Sequence, residues 1–239
     1  MISVCIATYN GEKYLRQQID SILPQIGTDD EIVISDDGST DGTLELLESY
    51  QDKRIHIFHH DASSIKTTFP LDRPTHNFEN ALTLAKGDVI FLADQDDVWL
   101  PGKVSKMLQA LETADMAMHD CIIADADLKQ LAPSYFSTVN VTTSIWRNAV
   151  KCTLLGCCMA MRRDVVKEAL PFPKTKVGHD LWLGMVAASR FRFTLVREPL
   201  LLYRKHGKSM TTAGKESKYG LWFKIDYRLT ILKQLIHFI

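Results

Sequence analysis

The apolar positions change period repeatedly along the chain. Ser3–Thr8 is a short β-branched run that stops at the turn signal Tyr9-Asn10-Gly11. Tyr14, Leu15, Gln18, Ile19 and Ile22 then recur at helical spacing, and Pro24 ends that pattern. Glu31–Ser35 is a second continuous apolar run, broken by Asp36-Asp37-Gly38-Ser39. Leu44, Leu46, Leu47 and Tyr50 predict a helix capped by Ser39, Thr40 or Asp41. Arg54–His59 reads as a third strand, 61–75 as loop and Asn77–Ala85 as a helix. Asp88–Ala93 is a fourth buried strand, and Pro101–Glu112 a helix with its proline in the first turn.

Strands alternating with helices at this spacing imply an α/β fold with a mostly parallel sheet covered on both faces. Such sheets bind ligands beyond the carboxyl ends of their strands. Three of those ends finish in polar turns, Thr8-Tyr9-Asn10, Asp36–Ser39 and Asp94–Asp97, which should meet in one crevice. Beyond Glu112 the pattern loosens. Ala117–Ala124, Thr153–Met161 and Leu200–Tyr203 read as strands, Asp164–Leu170 and Asp180–Ala188 as helices. No repeat, low-complexity tract or linker divides the chain.

With 46% hydrophobic and 24% charged residues, the 239-residue chain can bury a sizeable core. The net charge of −1 hides an asymmetry: residues 204–239 carry eight Lys or Arg against Glu216 and Asp226, leaving an acidic body. Five cysteines, an odd number with no C-x-x-C pair, argue against a disulfide framework or a zinc site and for a reducing, cytoplasmic setting. Met1–Ala7 has no basic region of a signal peptide, and no stretch approaches the length of a spanning helix. Nucleic-acid binding has only the basic tail in its favour.

Asp94-Gln95-Asp96-Asp97 places three carboxylates in four positions after a strand, a donor set suited to Mg²⁺ or Mn²⁺ with a substrate diphosphate completing the shell. The plain alternative is an acidic turn in which Asp97 favours the next helix start. Asp36 and Asp37 can accept from a ribose or a base, or can simply build a turn.

Taken in order, Ser3–Asn10, Asp36–Thr43, Asn77–Ala85 with Gly87-Asp88, Asp94–Trp99, Gly178–Leu183 and Tyr203–Gly207 resemble the family 2 glycosyltransferases of GT-A fold. Asn77-Phe78 with the acidic turn is similar to rhamnosyltransferase-type bacterial members that build surface polysaccharides. The resemblance implies a GT-A domain over 1–207, with a nucleotide-binding half of about 1–112 and an acceptor half of about 113–207. Thr8, Tyr9, Asn10, Asp36, Asp37, Asp94 and Gln95 then fall at the nucleotide, with the main base contact open between Asp36 and Asp37. Asp94 and Asp96 match the metal motif, Asp180 the general base, with His179 where many members have an acidic residue. His206 matches a histidine that reaches the metal or diphosphate in some members and only closes a loop in others. Trp99, His179 and Trp182 are candidate sugar or acceptor contacts, the two tryptophans equally candidates for core.

The implied reaction is an inverting transfer from a UDP- or dTDP-sugar to a glycan or lipid-linked acceptor. A sugar-nucleotide nucleotidyltransferase is the enzyme alternative, disfavoured because Thr8–Lys13 holds a single glycine rather than a triphosphate cradle. An inactive GT-A carbohydrate-binding subunit is the other, disfavoured because Asp94, Asp96 and Asp180 are all present. In the segment 208–239, Leu221, Trp222, Ile225, Leu229, Leu232 and Ile236 recur at helical spacing among Lys218, Lys224, Arg228 and Lys233. Residues 217–239 therefore either lie on an anionic membrane, placing the protein at the inner face of the plasma membrane, or dock on the domain.

Overall fold

The computed structural model describes residues 1–61, 69, 71–174, 176–207 and 221–235. The predicted alternation is realised through residue 94: β1 (Ile2–Thr8), α1 (Glu12–Ile22), β2 (Glu31–Asp36), α2 (Thr43–Glu48), β3 (Ile55–His59), α3 (Asp72–Leu84) and β4 (Val89–Asp94). There follow β5 (Val98–Trp99), α4 (Lys103–Ala110), β6 (Met116–Ala124), β7 (Gln130–Ala132), α5 (Tyr135–Thr138), α6 (Ile145–Val150), β8 (Met159–Arg162), α7 (Arg163–Ala169), α8 (His179–Arg190), β9 (Phe193–Arg204) and α9 (Leu221–Leu235).

One nine-stranded sheet runs in the order β3-β2-β1-β4-β8-β6-β9-β5, with β7 on β6. The strands β1, β2, β3, β4, β6 and β9 share one direction, and β8 runs against its neighbours β4 and β6. Consecutive residues Val4, Cys5 and Ile6, like Ile32, Val33 and Ile34, are fully buried, so both faces of the sheet are covered. On one of them the Cys5 thiol meets the Ala81 carbonyl of α3.

Several boundaries differ from the sequence reading for identifiable reasons. α3 starts at Asp72, inside the expected loop, whereas residues 62–68 and 70 lie outside the described residues. α4 starts at Lys103, because Gly102 adopts a left-handed φ of 85° after Pro101. The Thr153–Met161 run is a strand only from Met159, since Gly156–Cys158 forms a 3-10 turn. α2 is capped by Gly42, and Asp41 works from outside the helix by accepting from the Thr43 N–H at 3.1 Å.

The buried Glu31 carboxylate organises the base of β1. Its Oε1 accepts from the Ser3 hydroxyl and the Lys86 N–H, both at 2.6 Å, and the Ser3 hydroxyl oxygen accepts from the Gly87 N–H at 2.6 Å. A Cβ on Gly87 would lie 2.5 Å from the Ser3 backbone nitrogen and 2.7 Å from the Ile2 carbonyl carbon, so only backbone movement could admit it. Gly87→Ala should therefore lower stability by about 1–3 kcal/mol, read as a shift of the urea midpoint at unchanged slope.

Candidate active site

The sheet order puts β1 between β2 and β4, the point where successive connections leave in opposite directions and a crevice opens. Thr8 pairs with Asp36 and Ala7 with Asp94, so the three polar turns stand side by side. Their side chains divide into those that build the crevice and those that face it.

Asp36 builds it. The buried carboxylate accepts from the Gly38 N–H at 3.1 Å, the Ser39 N–H at 2.9 Å and the Ser39 hydroxyl, wrapping the turn in which Gly38 takes a φ of 78°. Asn10, with φ 49°, ties the β1 turn to this one by accepting from the Thr40 N–H at 2.8 Å. The Thr8 hydroxyl and the Tyr9 N–H both donate to Gln95 Oε1, and Gln95 Nε2 donates to the Tyr9 carbonyl at 3.1 Å. Gln95 and Thr8 thus hold one turn against the other. Asp37 is different: its carboxylate meets His60 Nδ1 at 3.0 Å and the exposed Arg73 at 3.5 Å, and Arg73 also lies over the exposed Tyr9 ring. His60 and Arg73 were not among the sequence candidates. Their signal was available only in the register that sets the end of β3 beside Asp36.

The acidic turn after β4 is the electrostatic centre. Burial first, then the charges of Asp96 and Asp180, push the half-buried Asp94 from the ordinary carboxylate value of 3.8 up to about 7. Asp97 is fully buried, which with the charges of Asp96 and Asp94 raises it well above that range. It does not serve the next helix: its Oδ1 accepts from the Arg204 N–H at 2.9 Å, while its Oδ2 has no hydrogen-bond partner among the described residues. Two buried cations stand against this charge. Lys103 donates to the Cys157 carbonyl at 2.8 Å, and Arg204 donates from Nε to the Asp96 carbonyl at 2.7 Å. His206 Nε2 lies 2.6 Å from Asp96 Oδ2, so β9 delivers a histidine to the acidic turn.

These donors fit a divalent cation on two observations. Asp97 Oδ2 is a buried oxygen with no hydrogen-bond partner among the described residues, and Asp94, Asp97 and the Cys157 thiol bring ligand atoms within 4.8 Å of one another. The Asp94, Asp96 and His206 set offers the harder donors, better matched to Mg²⁺ or Mn²⁺ than a thiol is.

Asp180 lies in the first turn of α8, whose cap is Gly178, so it is not the N-cap. Its Oδ1 accepts from the Leu181 N–H at 2.7 Å, and Oδ2 takes no hydrogen bond from the described residues. Neighbouring His179 packs on Phe78 with ring centroids 4.2 Å apart, and burial lowers its pKa, favouring the neutral ring. The two tryptophans are core. Trp182 is 7% exposed and donates to the Ala169 carbonyl, and Trp99 is 3% exposed between Phe91 and the Lys103 ammonium, so neither offers a face to a sugar.

A mostly parallel α/β sheet with an acidic turn after β4 and a histidine-bearing strand brought against it is the arrangement of the GT-A fold. Residues 3–170 match the model of glycosyl transferase family 2, and the chain belongs to that family. It is 29% identical over 221 residues to an uncharacterized glycosyltransferase of Nostoc, covering 86% of this chain and 65% of that protein, so it spans just under two thirds of that relative. A dTDP-rhamnosyl transferase of Shigella flexneri is 25% identical over 95% of this chain and 82% of its own length. Glucosyl-3-phosphoglycerate synthase of Mycobacterium tuberculosis, solved with Mn²⁺, UDP and glucosyl-3-phosphoglycerate, superposes with a TM-score of 0.61 at 17% identity, over 100% of this chain and 79% of that one.

The raised Asp94 has a thermodynamic signature. In the unfolded chain it ionises near 3.8, in the folded protein near 7, so the folded state holds the extra proton between those values. Its favourable contribution is complete below about pH 4 and is lost as pH rises through 7. In chelator, the thermal midpoint should fall as pH rises from about 4 to 7 and level off above that. Asp94→Asn should flatten that fall, by about 2–4 °C for each kcal/mol removed. An unchanged slope in the variant would place the effect elsewhere.

Proposed function

We propose that the chain catalyses inverting, metal-dependent transfer of a sugar from a UDP- or dTDP-sugar to a glycan or lipid-linked acceptor in surface polysaccharide synthesis, at the cytoplasmic side of the plasma membrane. The observation that carries this reading is the convergence of Asp37, the Asp94–Asp97 turn, Asp180 and His206 on one crevice.

The base would sit between Tyr9 and Asp37. A carboxylate is acceptor-only and suits the N–H edge of uracil or thymine, whereas cytosine presents an acceptor at the same place. His60 and Arg73 both pair with Asp37, and Arg73 lies over the ring of Tyr9. The dTDP-sugar and UDP named for the two proteins above are consistent with that edge. Asp94, Asp96 and His206 would hold the cation, which when bound neutralises the departing diphosphate. Gln95 and Thr8 fix the two turns that flank it, and Arg204 sets the height of the acidic turn through the Asp96 carbonyl.

Asp180 would take the proton of the attacking acceptor hydroxyl. The Leu181 N–H fixes one of its oxygens and leaves the other for that proton. The base and the leaving group then stand on opposite sides of the anomeric carbon, as a single displacement with inversion requires. His179, half-buried against Phe78 and with its pKa lowered, shapes the wall beside it.

Calorimetric titration of UDP and dTDP with and without Mn²⁺ tests the reading alongside a transfer assay. Asp96→Ala should abolish the cation dependence of nucleotide binding. Asp180→Asn should bind nucleotide as the unaltered protein does but transfer about 10²–10⁴-fold more slowly, the usual contribution of a general base. Equal losses of affinity and rate in Asp180→Asn would make it a structural residue, and a product retaining the donor configuration would reject the single displacement.

A further inference from the structure

The acceptor side of the molecule carries a surface that the crevice does not use. Six large apolar side chains are exposed among the described residues, and three of them, Trp146 at 58%, Val150 at 62% and Leu229 at 52%, lie on α6 and α9. The two helices pack together, with Arg228 Nε of α9 donating to the Val150 carbonyl at the end of α6 at 3.2 Å. Trp146 and Val150 are four residues apart and share one face of α6. α9 is anchored from its other side by the fully buried Ile231, by Tyr227 against Phe69 and by an Asp226–Lys176 ion pair. Leu229, two positions from Ile231, is consequently turned away from the core.

α9 thus packs on the domain through Ile231 and Tyr227, while Leu229, the one member of the expected apolar stripe whose side chain is described, faces outward beside the apolar residues of α6. The side chains of Leu221, Trp222, Lys224, Ile225 and Leu232, together with residues Lys218 and Ile236, lie outside the described residues.

Charge identifies the partner. Arg147, Lys151, Arg228 and Lys233 are exposed on or next to these helices, and none forms an ion pair among the described residues. Arg147 and Lys151 also line a shallow cleft of about 140 Å³ with Val139, Asn140, Thr142 and Thr153, a lining without a carboxylate. Of these cations, Lys151 and Lys233 are of the type depleted at protein interfaces. An anionic bilayer instead takes a Trp and aliphatic side chains at its boundary and basic groups at its phosphates. α6 also packs on α8, the helix whose first turn carries Asp180.

We propose that α6 and α9 together form a face that docks on an anionic lipid surface, with a headgroup phosphate received between Arg147 and Lys151. The face sets the acceptor end of the crevice toward the bilayer. In that use, though not in the binding itself, the inference rests on the lipid-linked acceptor proposed above.

Co-sedimentation of the full chain with vesicles tests it, using phosphatidylcholine alone and a phosphatidylcholine–phosphatidylglycerol mixture, at low and high salt. The expected result is binding to the mixture only, weakened by salt, and reduced at least about tenfold in Arg147→Glu/Lys151→Glu and in Trp146→Ser/Val150→Ser. Nucleotide binding measured on the same preparations should be unchanged, which shows the variants folded and separates failure of this face from failure of the crevice. Equal binding to both vesicles, full binding by either double variant, or a concentration-dependent dimer that Trp146→Ser/Val150→Ser abolishes would overturn the proposal.

Discussion

The buried guanidinium of Arg204 is the joint on which the crevice depends. It is 2% exposed at the end of β9. Its Nε donates to the Asp96 carbonyl, one terminal nitrogen to the Ala126 carbonyl at 2.6 Å and the other to Gln17 of α1 at 2.5 Å, while the group stacks 4.4 Å from the Tyr14 ring. A charge so far from water is tolerable only with its donors filled and negative charge nearby. The planar fork meets three elements at once, which a lysine ammonium cannot do in the same geometry. Because its own N–H also binds Asp97, Arg204 fixes the acidic turn and β9 in one register. That register carries His206, two residues on, to Asp96.

The crevice is correspondingly costly to fold. Asp94, Asp96, Asp97 and Asp180 crowd one region, with Lys103 and Arg204 the buried cations beside them, and an unpartnered Asp97 oxygen remains. Evolution retains such frustration where a bound ion or substrate relieves it. The proposed docking face is carried by α6 and α9, which present exposed basic and apolar side chains while Ala149 and Ile231 pack inward. The face reaches the crevice through α6 packed on α8 and through Tyr227 of α9 beside Gly178, next to Asp180.

Much of this was legible in the chain because the first 94 residues alternate short apolar runs with helical periodicity, each stopped by a polar turn. The turns Thr8–Asn10, Asp36–Ser39 and Asp94–Asp97 fell side by side as the strand ends required. The second half was harder for physical reasons. β8 is four residues long and antiparallel, and the first half of β9 is only partly buried, so neither carries a strong period. α5 and α6 are one-turn and short helices whose Ser134 and Ser144 caps were the only local signal. Burial of Trp99 and Trp182 follows from partners distant in sequence, Phe91 and Ala169, which an aromatic residue read alone does not reveal. The choice between Asp36 and Asp37 also needed coordinates. Asp36 spends its oxygens on its own turn, and Asp37 meets residues from β3 and α3.

The acidic crevice, held in register by Arg204, is the nucleotide site we propose. Calorimetric titration of UDP in Mn²⁺ against Arg204→Lys tests it most directly, because lysine keeps the charge and loses the fork. With folding confirmed by a cooperative thermal transition, the account predicts affinity at least about tenfold weaker, the cost of one or two lost charge-assisted hydrogen bonds. An affinity equal to that of the unaltered protein would contradict it.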